Sequence, residues 1–386
     1  MPNFKSVFLI CLVSIVSSLI ISLFFYFFPP SNLERHVPHG SNEVLERNYD
    51  GSIYVVLAKT LYNQKELQEI NFNELPSNYY ANHFPLLPVL LRLTSFTGNY
   101  FRSLILINWI IAALFTIYFY FFLKKFKISK NPLFLSLISL FIPPRWLAVR
   151  TVGGSEPIFL LILIICLYYW FKKKYGIVSI CTIFLVLTRP PGFFFFFSFL
   201  ALILYQWYYQ NFRSAKLLKI IKEKWSLIIM PLTILTLFLF FKFSFGDFWA
   251  YFKTGTGTNV HFQWIPFAPV LNYNSPVSEG FLYLFAVYVV GIYLLWKQNL
   301  KQLAIFCLVY LIPNFFMYVD DIYRYLIPIS PFCLVIGYQN LFKQKVFKYL
   351  FPLFLIGIYI YTLNLLPNRM FNYDDYARLR VIINMQ

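Results

Sequence analysis

Apolar runs close to twenty residues long recur along this chain, broken by short clusters of lysine. That spacing constrains the fold more than any other feature, because a helix needs about 20 apolar residues to cross the hydrocarbon layer. The 386 residues are 59% hydrophobic and only 12% charged, against about 25% charged for a soluble domain. The reading is therefore an all-α membrane protein, a polytopic bundle of about eleven spans in a single domain covering residues 1–386. The expected spans are 8–28, 100–123, 131–144, 155–171, 176–189, 193–211, 226–245, 280–296, 302–319, 325–341 and 349–366. The first run is too long for a signal-peptide core and is followed by Pro29-Pro30 rather than a small-residue cleavage site, so it reads as a retained span.

The net charge of +18 does not point to nucleic acid, because the basic residues sit between apolar runs rather than on one soluble face. With the N-terminus in the cytoplasm, every dense cluster falls on the same side: Lys124 to Lys130, Lys172 to Lys174, Arg213 to Lys224, Lys297 with Lys301, and Lys343 to Lys348. Glu223 is the one acid expected on that side. The other acids fall outside or at the outer membrane edge, which places the binding and chemical apparatus there. Cys11, Cys166, Cys181, Cys307 and Cys333 all lie in apolar runs without metal-ligand spacing; they read as small buried side chains, with no disulfide framework.

The outer segments are a long first loop, 29–99, a second loop, 246–279, and a tail, 367–386. In the first loop, Ile53, Tyr54, Leu57, Ala58 and Leu61 recur at helical spacing, which predicts an amphipathic helix lying along the membrane surface. Asp50 opens it. As an N-cap it would satisfy free backbone amides; as a carboxylate at the bilayer edge it could act as a general base. Downstream, His83-Phe84-Pro85 leads into a second interfacial or re-entrant helix. His83 is either a surface histidine or a phosphate contact.

Ionisable groups at membrane depth are costly and tend to be functional. Arg145 and Arg150 precede Gly153-Gly154-Ser155-Glu156, Arg189 stands in Thr188-Arg189-Pro190, Asp247 follows Gly246, and Asp320 and Asp321 precede Tyr323-Arg324. The structural alternatives are snorkelling of the arginines to headgroups, pairing of Arg324 with Asp320 or Asp321, and a dipole role for Glu156 at a helix start. Acid and arginine together on one face suit transfer from a lipid phosphate to an alcohol, since arginine binds phosphate as a fork.

These residues in order resemble the PIG-V-like mannosyltransferases of the GT-C group of polytopic glycosyltransferases. The resemblance is carried by Tyr49-Asp50 with Tyr54 and Ala58, Phe84-Pro85-Leu86 with Pro88, Ser155-Glu156 with Phe159, Thr188-Arg189-Pro190 with Gly192, and Arg324-Tyr325-Leu326 with Pro328. The chain departs from the family at Tyr49, where tryptophan is usual, and at Pro191, where a polar residue often stands. The resemblance implies a GT-C-like helix bundle and an inverting transfer of a sugar, mannose in the named family, from a polyprenyl or dolichyl phosphate. The acceptor would be a hydroxyl on a lipid-linked or other glycan, and Asp50 the general base. The candidate substrate contacts are His83, Glu156, Arg189, Arg324, Tyr54 and Asp247. The short chain and its Lys, Ile and Phe bias look prokaryotic, which predicts a multi-pass protein of a cell membrane with its active site outside. The Asp-Asp pair lacks the Asp-x-Asp spacing used with nucleotide sugars, so no obligate metal or cofactor is expected. The alternative is a transporter or lipid flippase, in which membrane charges line a path.

Overall fold

The computed structural model describes residues 4–30, 37–95, 98–209, 214–253, 261–272, 275–319 and 321–384. Asp320 lies outside the described residues. The chain is an all-α membrane protein. Among the described residues six helices are long and apolar enough to cross a membrane: Phe4–Phe27, Tyr100–Lys125, Pro191–Tyr208, Leu217–Phe245, Ser278–Lys297 and Lys345–Arg369. A seventh crossing is made if the bent pair Pro144–Thr151 and Glu156–Phe171 counts as one span; its halves meet at 113°. Tyr175–Thr188 and Lys301–Phe315 are apolar but shorter.

Two of the eleven expected spans are broken by proline. Within 131–144 the chain forms only Pro132–Ile138 before Pro143 and Pro144 start a new helix, since proline has no N–H to give to the preceding turn. Within 325–341, Pro328 and Pro331 divide the run into Ile322–Leu326, a tight turn at Ile327–Ile329, a wide turn at Pro331–Ile336 and Gln339–Phe342. This broken rod is buried throughout Leu326–Ile336. Irregular backbone is tolerated at membrane depth when protein surrounds it.

The expected surface helix of the first loop is instead interior. It runs Gly51–Thr60, and every residue except Lys59 is buried. The helix Leu86–Thr94 covers it, with Arg92 donating to the carbonyls of Ala58 and Lys59. Leu86–Thr94 itself keeps an exposed apolar face at Val89 and Leu93. The tail closes over the same loop. Tyr49 N–H donates to the Arg369 carbonyl at 3.1 Å, Arg47 donates to the Phe371 carbonyl, and the Tyr376 hydroxyl donates to Glu46.

Arg150 does not snorkel. It is buried among the serines of the first helix, donating to Ser18 Oγ at 2.9 Å, Ser17 Oγ at 2.7 Å and the Ser14 carbonyl at 3.1 Å. These bonds tie Phe4–Phe27 to the bent pair and satisfy a charge that burial would otherwise penalise. The second loop is stitched to the bundle by a short antiparallel ladder, Phe262 opposite Met317.

Candidate functional site

Two cavities lie at opposite ends of the bundle. Glu156–Phe171 begins beside Ser155 at the first and ends with Phe171 at the second; Tyr175–Thr188 runs back again, and Pro191–Tyr208 returns. The first cavity, about 540 Å³, falls within the range typical of small-molecule sites. Asp50, Tyr54, His83, Arg189 and Arg324 line it. Five of the seven residues singled out in the sequence thus share one wall, drawn from four separate stretches of chain.

Asp50 occupies the N-cap position of Gly51–Thr60, yet its side chain makes no capping bond. One carboxylate oxygen accepts from Arg324 Nη2 at 2.9 Å, and the other lies 3.6 Å from His83 Nε2. Its direction is set from behind: Tyr49 takes a left-handed conformation, φ 49°, and its N–H is held by the tail. Close packing of Gly51 on Gly153 brings the helix start against the bend; a Cβ on Gly51 would lie 3.3 Å from the Gly153 carbonyl oxygen. Asn108 fixes the bend itself, donating to the carbonyls of Val152 and Gly154. The Asp50 side chain is 29% exposed and lines the cavity. Burial raises the pKa of this carboxyl, but the Arg324 charge and the His83 contact outweigh burial and hold it below the ordinary carboxylate range.

Glu156 sits beneath the wall rather than in it. Its side chain is 1% exposed, and Oε1 accepts from Arg324 Nε at 2.7 Å while Arg189 Nη1 lies 2.9 Å away. One carboxylate thereby sets both guanidinium groups from behind the lining. Pairing of Arg324 with Asp321 is likewise not found. Asp321 pairs with Arg145, whose guanidinium also reaches the Tyr361 hydroxyl at 3.3 Å. Tyr49 lies between the two systems, its ring 4.7 Å from the Arg324 guanidinium carbon and 5.4 Å from that of Arg145.

Tyr54 donates to Ser155 Oγ at 2.9 Å and meets the His83 ring edge to face at 5.1 Å. Burial raises the pKa of its phenol, and the Asp50 charge adds to this, so it stays a donor. Asp247 does not line the cavity. It accepts from Trp249 N–H and pairs with the exposed Lys253 at 2.9 Å, organising a turn of the second loop. That turn does deliver Tyr251 and Phe252 to the cavity.

Sequence reasoning did not select Tyr49, Tyr79, Tyr251, Phe252, Tyr325 or Arg369, all of which line the cavity. A signal existed for some. Tyr49 and Tyr325 each adjoin a chemical residue, and Arg369 is a cation on the acid-rich side. Four guanidinium groups, Arg145, Arg189, Arg324 and Arg369, meet three carboxylates, Asp50, Glu156 and Asp321, at or beneath the wall. Such a surface favours an anion. Among the described residues, buried nitrogens Asn82 Nδ2, His83 Nδ1 and Arg189 Nε have no hydrogen-bond partner, and polar atoms left so at a cavity mark a site built for something other than packing. The arrangement can hold an anionic group on Arg189 and Arg324 and take a proton onto Asp50. No family model matches this chain, and no curated protein matches it.

Proposed function

We propose that the chain is an inverting membrane glycosyltransferase that moves a sugar from a polyprenyl-phosphate donor to a hydroxyl acceptor, with Asp50 as general base. The observation that carries the reading is Asp50 in one cavity with Arg189 and Arg324, its carboxylate spent on a guanidinium and not on the helix it opens. By the positive-inside rule, the lysine-rich end of the bundle faces the cytoplasm, so the cavity opens to the other side. Mannose as the sugar follows from the resemblance to PIG-V-like enzymes.

In this reaction the acceptor oxygen attacks the anomeric carbon as the bond from that carbon to the phosphate oxygen breaks. The acceptor proton passes to Asp50, and the electron pair of the broken bond leaves on the lipid phosphate. Arg189 and Arg324 stabilise the charge developing there. The same step explains how a carboxylate with a depressed pKa serves as base: a donor phosphate that draws on Arg324 weakens its hold on Asp50 and restores basicity where the proton is transferred.

An open pore would join the two cavities. Between them Phe195 stacks on Phe306 at 4.9 Å and on Tyr310 at 4.6 Å, and Trp170 packs on Phe199. These packed rings fill the bundle between the two cavities, so no open pore joins them. Purified protein incubated with labelled polyprenyl-phosphate sugars and simple alcohol acceptors is expected to consume donor and give a product of inverted anomeric configuration. Donor left intact across a panel of sugars, with the protein folded, overturns the reading.

A further inference from the structure

The second cavity, about 610 Å³, has a chemistry of its own. It is walled by two inter-helix turns, Lys173 with Tyr175 and Asn299 to Gln302, by Glu223 and Lys224 of Leu217–Phe245, and by Tyr205 and Tyr209 from the end of a span. Lysines at this end need no explanation if they merely face the cytoplasm, and Lys173 is exposed, but Lys224 and Lys301 are held against aromatic rings. Lys224 is 3% exposed, its ammonium 4.6 Å from the Tyr175 ring centre, and Glu223 comes only to 3.8 Å, beyond hydrogen-bond distance. Lys301 Nζ donates to the Tyr209 hydroxyl at 3.0 Å and lies 5.5 Å from the Trp296 ring centre. An ammonium enclosed this far stays charged at a cost unless an anion joins it.

We infer that this cavity is a binding site for a phosphate group, presented by the headgroup of an anionic lipid or by a free phosphate, and held by Lys173, Lys224 and Lys301. Three lysines against one carboxylate leave the described lining cationic. The ring walls of Phe171, Tyr175 and Tyr205 suit the glycerol and upper chain of a lipid better than a free ion. Basic pockets between spans on the cytoplasmic side are where anionic headgroups bind. Lys224 and the Lys301 turn belong to different helices, so an occupant would pin the ends of Leu217–Phe245 and Lys301–Phe315 together. This site stands independently of the catalytic reading.

The test is thermal unfolding of the purified full chain in neutral phosphatidylcholine nanodiscs, titrated with phosphatidylglycerol or, separately, with inorganic phosphate. Phosphatidylglycerol is expected to raise the wild-type melting temperature saturably. Lys173→Gln with Lys301→Gln, at an exposed and a half-buried position, is expected to raise the half-saturating lipid fraction about tenfold, the scale of one lost charge-assisted contact. Lys125→Gln with Lys343→Gln removes two lysines from the same end outside the cavity and is expected to leave the titration unchanged. A shift produced by inorganic phosphate at comparable concentration assigns the site to the free ion. Equal titrations for wild type and the cavity variant, or equal losses in both variants, overturn the site, because charge at that end alone would then suffice. Lys224→Gln, if it folds, is expected to show the largest loss.

Discussion

Asp50 and Arg324 stand 274 residues apart in the chain and 2.9 Å apart in the fold. The contact makes Asp50 an ionised carboxylate in the resting protein. Replacing Asp50 by Asn keeps the shape and removes the base. Transfer from a polyprenyl-phosphate sugar is expected to fall by roughly 10²–10⁴-fold, the usual range for a lost general base. Some stability should be lost with the charged contact to Arg324, so turnover is compared on protein shown to be folded. Near-normal turnover by the folded variant would remove Asp50 from the proton transfer.

The pH dependence follows from the same contact. Burial alone raises the Asp50 pKa; Arg324, with His83, brings it below the ordinary value, which is roughly 3.9. A base with a depressed pKa stays ionised as pH falls, so the wild-type kcat/KM, which reports the free enzyme, is expected to show no acid limb from Asp50 above that value. In Arg324→Gln burial acts with less opposition, the pKa rises, and an acid limb is expected to move up toward neutrality, on top of a lower rate. The stability contribution has the same sign: it is present above the unfolded pKa and lost only as pH drops through the depressed one. A pH–rate profile whose acid limb lies at the same pH in both proteins would break this link.

Much of the site could be read from the chain because charge is so rare in it. A carboxylate or guanidinium among apolar runs stands out, and Asp50, His83, Arg189 and Arg324 were found that way. Which acid meets which arginine could not be read. Asp321 is three residues from Arg324, yet it pairs with Arg145, because the Ile322–Leu326 turn points Arg324 away toward Glu156. The tail's part in the cavity was equally hidden, since Arg369 to Phe371 enters through backbone bonds that carry no side-chain signature. Apolar periodicity also misread Gly51–Thr60 as a surface helix: covering by Leu86–Thr94 and the tail buries Ser52 and Thr60 along with the apolar residues and leaves only Lys59 part-exposed.

Glu156 offers a direct test of positioning. Its carboxylate sets Arg189 and Arg324 without reaching the cavity. Glu156→Ala leaves two enclosed guanidinium groups short of a partner, and such a loss costs about 3–5 kcal/mol. Glu156→Gln keeps an acceptor oxygen and is expected to recover much of that stability while donor KM stays raised, since the arginines lose their common anchor. Measuring unfolding and donor KM for both variants decides the matter; unchanged donor KM in both makes Glu156 purely structural.

Asp247 is the negative counterpart. It lies outside the cavity and orders a turn by accepting from Trp249 N–H. Asp247→Ala is expected to loosen that turn with a small loss of stability, and to leave kcat close to that of wild type. A loss on the scale of Asp50→Asn would return Asp247 to the chemistry.

The glycine pair sets how closely the base approaches the bend. A Cβ on Gly153 would meet the Leu104 side chain and lie 3.1 Å from Gly51 Cα. Leu104 can shift, but Gly51 is backbone at the start of the helix that carries Asp50. Gly153→Ala is therefore expected to push that start outward, lengthening the Asp50–Arg324 contact, and to cost about 1–3 kcal/mol as overpacking does. Catalysis should suffer more than stability, because a displacement of about 1 Å at a reacting group can cost 10²-fold. Gly176→Ala serves as the control, since nothing lies within 4 Å of the added methyl. The two variants compared for turnover and unfolding separate geometry from folding: a Gly153→Ala protein that is less stable but turns over at the wild-type rate would show that the approach of Gly51 to the bend does not aim the carboxylate.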